Sequence, residues 1–74
     1  MENVSITTPY ITLGQMMKFA NIASSGGDIK ALLSEVSITV DGERENRRGR
    51  KLYPGMVVKI ESVGSFKIVN AQNQ

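Results

Sequence analysis

The sequence predicts an α+β fold, two short helices packed on a small twisted antiparallel sheet, in a single domain spanning residues 1–74. Three observations carry this expectation. Apolar residues recur at helical spacing in two segments of the first half, and from Ser37 onward the spacing changes to two. Asp41-Gly42 and Pro54-Gly55 then punctuate the second half with turns.

Val4-Ser5-Ile6-Thr7 alternates apolar and polar with β-branched residues, and Pro9 blocks a continuation, so a first strand is expected over about residues 3–8, at a sheet edge. Thr12 and Gln15 have capping-box spacing, in which the hydroxyl accepts an orphan N–H and the glutamine reaches back. A helix follows over about residues 13–20, with Leu13, Met16, Met17 and Ala20 on one buried stripe and Gln15 and Lys18 outward. Ser24-Ser25-Gly26-Gly27 is a polar turn, with Ser25 and Asp28 as a second capping pair.

The second helix is expected over about residues 27–35, burying Ile29, Leu32, Leu33 and Val36 and exposing Lys30 and Glu35. Ile38 and Val40 then point inward along a strand, and Asp41-Gly42 supplies the positive backbone angles of a tight hairpin, with a basic return after it. Pro54-Gly55 marks a second turn, Met56, Val58 and Ile60 alternate as a further strand, and Phe66-Lys67-Ile68-Val69 forms a last one. Phe19 and Phe66 are expected in the core, and residues 70–74 as a frayed tail.

Composition narrows the function. Hydrophobic residues make up 41% and charged residues 22% of the chain, the balance of a folded domain and not of a disordered tail. Without cysteine there is no disulfide framework or thiolate zinc site, and without histidine the commonest metal ligand and general base are missing. No phosphate-binding loop, dinucleotide fingerprint or zinc-protease helix is present, so the expectation is a non-catalytic protein with no cofactor, no metal and no small-molecule substrate. The start Met1-Glu2-Asn3-Val4-Ser5 lacks a basic flank and an apolar run, which predicts a soluble, unexported, cytoplasmic protein without membrane attachment.

Charge is unevenly placed. Arg44, Arg47, Arg48, Arg50 and Lys51 stand within eight residues with Glu45 as their one acid, so this segment is +4 while four basic and six acidic groups elsewhere leave the remainder at −2. Five neighbouring cations are either a fully solvated loop or the contact surface for a polyanion. Four of them are arginine, whose planar fork matches phosphate and stacks on bases, where a solubilising surface would use lysine and glutamate. Glu43 and Glu45 are expected to pair with these arginines, and Tyr53 either packs at the hairpin base or stacks on a base.

In order and spacing these parts resemble the alpha-L RNA-binding domain, named for ribosomal protein S-four, over about residues 11–61. The resemblance rests on Thr12-Leu13-Gly14 at the start of the first helix, Ser24-Ser25-Gly26-Gly27 leading into the second, Val40-Asp41-Gly42 at the hairpin and Pro54-Gly55-Met56 before the closing strand. Arg47-Arg48-Gly49-Arg50-Lys51-Leu52 is similar residue for residue to the run carried by the small stand-alone bacterial branch. Three departures from the family pattern stand out, at four positions. Thr12 and Gly14 replace a charged pair, Met56 replaces an acid, and Val36 replaces a helix-ending glycine. The last departure implies a different helix exit, because valine is costly in the left-handed conformation.

The resemblance implies that RNA lies across the two helices and the adjoining hairpin. Lys18, Lys30, Arg44, Arg47, Arg48, Arg50 and Lys51 would then line one face, with backbone contacts from Ser25, Gly26 and Gly27. The partner it implies is structured RNA, ribosomal RNA or a ribosomal subunit, bound by a monomer during ribosome assembly or in another ribosome-associated role. The rival reading is a protein-interaction adaptor whose basic loop is merely solvated.

Overall fold

The computed structural model describes residues 1–71 as two helices and seven strands. In chain order they are β1 (Glu2–Ile6), β2 (Ile11–Thr12), α1 (Leu13–Phe19), α2 (Gly26–Glu35), β3 (Ile38–Val40), β4 (Glu43–Arg44), β5 (Lys51–Leu52), β6 (Val57–Ile60) and β7 (Gly64–Asn70).

Both helices begin where the capping residues stand. Thr12 Oγ1 accepts from Gln15 N at 3.2 Å and Gln15 Oε1 accepts from Thr12 N at 3.0 Å, a complete capping box that satisfies two orphan donors at once. Ser25 Oγ accepts from Asp28 N, while the Asp28 carboxylate turns back to accept from the Ser24 hydroxyl at 2.7 Å. These bonds favour the charged carboxylate and lower the Asp28 pKa, the Ser24 hydroxyl contributing most. Helix α1 leaves through Asn21 in the left-handed conformation, whereas Val36 ends α2 with extended angles (φ −119°, ψ 156°). The valine therefore does what its branched side chain favours, passing straight from the helix into β3.

Five strands form one sheet in the order β1-β7-β6-β3-β4, and β2 pairs with β5 in a separate two-stranded ladder. The pairs β3–β4, β3–β6 and β6–β7 are antiparallel, but β1 lies parallel to β7, with Val4 opposite Ile68. Alternation identified β1 as an edge strand without specifying its direction, so the expected antiparallel sheet is a mixed one. The strand also stops at Ile6, and β7 continues through Asn70, opposite Ile6, where a frayed tail was expected to begin. Of the rest of that expected tail, residues 72–74 lie outside the described residues.

One face of the sheet and the inner stripes of the helices share the core. Val4, Ile6, Ile38, Val40, Val58, Ile60, Phe66 and Ile68 from the strands close on Leu13, Met16, Met17 and Ile29 from the helices. Each such side chain contributes roughly 1.5–3 kcal/mol when fully buried, so this cluster is the main source of stability. Phe19 is the exception among the expected core residues. It is the last residue of α1, off the 13-16-17-20 stripe, and 63% of its surface is exposed.

The hairpin turn is held by side chain as well as backbone. Asp41 and Gly42 have φ of 51° and 88°, as a two-residue turn of the type I′ geometry requires. Asp41 also engages the neighbouring strand twice. Its N–H donates to Val57 O at 2.8 Å, and its carboxylate Oδ1 accepts from Val57 N at 2.9 Å. Pro54 and Gly55 (φ 99°) make the second turn, closed by Met56 N donating to Tyr53 O. The Met56 sulfur accepts from Tyr53 N.

Candidate nucleic-acid interface

The basic stretch does not return along the hairpin as the turn suggested. Glu43 and Arg44 pair with β3 and Glu45 N still donates to Ile38 O at 2.9 Å, after which residues 46–50 leave the sheet and run to the start of α1. There the loop's backbone caps the helix. Leu13 N donates to Arg50 O at 2.8 Å and Gly14 N donates to Arg48 O at 2.9 Å, and Thr12 pairs with Lys51 through the β2–β5 ladder. Two amides that α1 cannot satisfy within itself are thereby matched to loop carbonyls. Gly14 lies close against the loop: a Cβ there would stand 3.4 Å from both Arg48 Cβ and Arg48 O, at the near limit of ordinary contact.

Glu45 fixes the other side of the loop. Its side chain is nearly buried, accepting from Arg47 Nε at 2.9 Å, Arg47 Nη2 at 3.2 Å, Arg50 Nη1 at 2.8 Å and Arg47 N at 3.1 Å. The Arg47 side chain has the largest part in lowering the Glu45 pKa to about 2, against the opposing effect of burial and with further help from Arg50. The reciprocal effect raises the Arg47 pKa. Glu45 thus pairs as its place in the sequence suggested. Glu43 does not; among the described residues the ion pairs are those of Glu45 with Arg47 and Arg50.

The cations are consequently of two kinds. Arg47 and Arg50 organise the loop around Glu45, while Lys18, Lys30, Arg44, Arg48 and Lys51 have no ion pair among the described residues. Arg48 is central to the second set. It borders one hollow with Lys30, Leu33, Ser34 and Asn46, and another with Gly14, Gln15, Lys18 and Ile29. Its Nη1 lies 3.4 Å from where a Gly26 Cβ would be, so the guanidinium crosses from α1 to the start of α2. Arg47, Arg50 and Lys51 border a further hollow with Gly49, Tyr53 and Met56.

Lys18, Lys30, Arg48 and Gly26 are therefore brought together, with Arg47, Arg50 and Lys51 adjoining through the loop. Arg44 stands apart in β4, opposite Thr39, in a small hollow with Glu45 and Asn46. Ser25 is committed to capping α2, and Gly27 is exposed with only Ser25 Oγ near it. Asn46 joins Lys30 and Arg48 without having been expected there; an uncharged residue inside a basic run gave no signal of its own. No group of three or more potential metal ligands occurs among the described residues, and none of their helices is long and apolar enough to cross a membrane.

A family model described as the S4 domain matches residues 4–69. The chain belongs to the S4-domain family. The S4 match extends beyond the 11–61 core of the resemblance at both ends, taking in most of β1 and β7, the parallel pair that closes the sheet. The chain is also 55% identical over 67 residues to "Probable ribosome maturation protein RlbA" of Bacillus subtilis (strain 168), covering 90% of this chain and 94% of that relative.

Proposed function

We propose that this S4 domain binds structured RNA without catalysis, in the cytoplasm, and serves ribosome maturation. The single observation that carries the reading is the position of Arg48. It bridges the two helices between Lys18 and Lys30, on a loop whose backbone is tied to α1, and none of the three cations is matched by a carboxylate among the described residues. A preorganised group of unpaired cations is suited to phosphates held at fixed spacing, as in a folded RNA, and its loop contributes little ordering cost on binding. Asp28, the acid nearest the start of α2, is turned onto Ser24.

The ribosomal part of the proposal rests on the relative, which is named for ribosome maturation. Selectivity would come from RNA shape, with Arg48, Lys18 and Lys30 on phosphates, Arg47, Arg50 and Lys51 extending the contact, and the backbone at Gly26 approaching closely. Sedimenting the purified protein with ribosomal subunits tests the reading. Retention should be abolished by added salt and by RNase; retention by a protein that survives RNase would assign the domain to an adaptor role instead.

A further inference from the structure

Three of the four aromatic residues of this chain are exposed, and they gather in one place. Tyr10 and Phe19 line a shallow apolar groove of about 760 Å³ with Pro9, Ile11, Gln15 and Lys18. Tyr53 packs against Tyr10, ring centroids 5.7 Å apart and planes tilted by 50°. Lys51 Nζ stands 5.0 Å from the Tyr10 ring centroid. An exposed phenylalanine at the end of a helix contributes nothing to the core, so its surroundings decide what it is for.

We propose that the Tyr10–Phe19 groove receives an unpaired base of a bound RNA, stacked on these rings while Lys18 and Lys51 meet the adjoining phosphates. This rests on the RNA-binding reading and specifies it further. Two features select a nucleotide over an apolar peptide. The groove has no carboxylate in its lining and has a lysine at its border, the charge that complements a polyanion. It is also continuous with the basic surface, sharing Gln15 and Lys18 with the hollow beside Arg48, while Tyr53 and Lys51 border the hollow of Arg47 and Arg50. A paired stem against the loop would leave a neighbouring extruded or single-stranded nucleotide at the rings. Stacking tolerates any base, so the groove would recognise an unpaired state and not a sequence.

The chain has two tyrosines and no tryptophan, so its intrinsic emission reports on this cluster alone. The experiment titrates the full chain at low salt with a blunt RNA duplex and with the same duplex carrying a single-stranded overhang. The overhang should quench tyrosine emission and the blunt duplex should not. Phe19→Ala should weaken overhang binding roughly five- to a hundredfold, leaving the blunt duplex unaffected, since one stacked base is worth about 1–3 kcal/mol. Tyr10→Phe, which keeps the ring, should retain affinity, and an unchanged unfolding midpoint in both variants shows that the fold is intact. Equal, salt-dependent binding of both RNAs with unchanged emission would overturn the stacking proposal and leave the RNA-binding reading standing. Failure of both RNAs to bind would overturn both. Self-association abolished by Phe19→Ala would give the groove to a second copy of the chain and likewise overturn it.

Discussion

The Arg50 guanidinium donates to Glu45 at 2.8 Å, and the glutamate side chain that accepts it keeps only 6% of its surface exposed. A carboxylate this enclosed is the keystone of a loop that otherwise consists of mutually repelling cations. Glu45→Gln should destabilise the fold by roughly 1–3 kcal/mol, because Arg50 would lose its charged partner in a half-buried setting. Urea unfolding at neutral pH measures this directly.

The same carboxylate makes stability depend on acid. Its folded pKa of about 2 lies below the ordinary value of 4.5, so its contribution is complete above 4.5 and is lost as pH falls from there through about 2. Asp28, also lowered, acts with the same sign. Unfolding curves should therefore show wild-type stability declining below pH 4.5, with a shallower decline in Glu45→Gln, where the Asp28 part remains. An identical decline in both would remove Glu45 from the account.

Gly14 should separate contact from congestion. Alanine at this helical position places its methyl at ordinary contact with Arg48 and should be neutral or stabilising by up to about 1 kcal/mol, through helix propensity. Leucine has no room beyond that methyl, and should cost roughly 1–3 kcal/mol as the loop is pushed from α1. Thermal unfolding of the two variants distinguishes these outcomes, and equal midpoints would contradict the close approach.

At the hairpin, Asp41→Ala removes the acceptor of Val57 N and places alanine at positive φ. The expected cost is roughly 1–3 kcal/mol, while Asp41→Asn, which keeps a side-chain oxygen and tolerates the left-handed region, should lose less than about 1 kcal/mol. Amide exchange at Val57 should accelerate in the alanine variant and change little in the asparagine one.

What could be read from the sequence was what is encoded locally. Thr12-Gln15 capping, the Asp41-Gly42 turn and the Leu13-Met16-Met17 stripe each depend on residues a few positions apart. The direction of β1 depends on its pairing with β7 at the other end of the chain, and alternation is blind to it. The course of residues 46–50 likewise depends on distant amides at Leu13 and Gly14, so the basic run looked like a simple hairpin return. In the candidate site, charge counting located the arginines but treated them as equivalent. Their division into loop-forming Arg47 and Arg50 and unpaired Arg48 follows from the burial of Glu45, which no spacing rule announces. Phe19 looked like core because phenylalanine usually is; its place at the end of α1 puts it outside.

That division also selects the most direct test of RNA binding by unpaired cations. Arg48 and Lys30 can be replaced together without exposing a buried acid, whereas replacing Arg47 and Arg50 would strand Glu45. Affinity for ribosomal RNA should be measured against salt for the wild type and for the Arg48→Ala, Lys30→Ala double variant. If both cations hold phosphates, the slope of log affinity against log salt should fall by roughly 0.7–0.9 for each phosphate no longer neutralised, with the fold unchanged. A slope identical to that of the wild type would contradict the account.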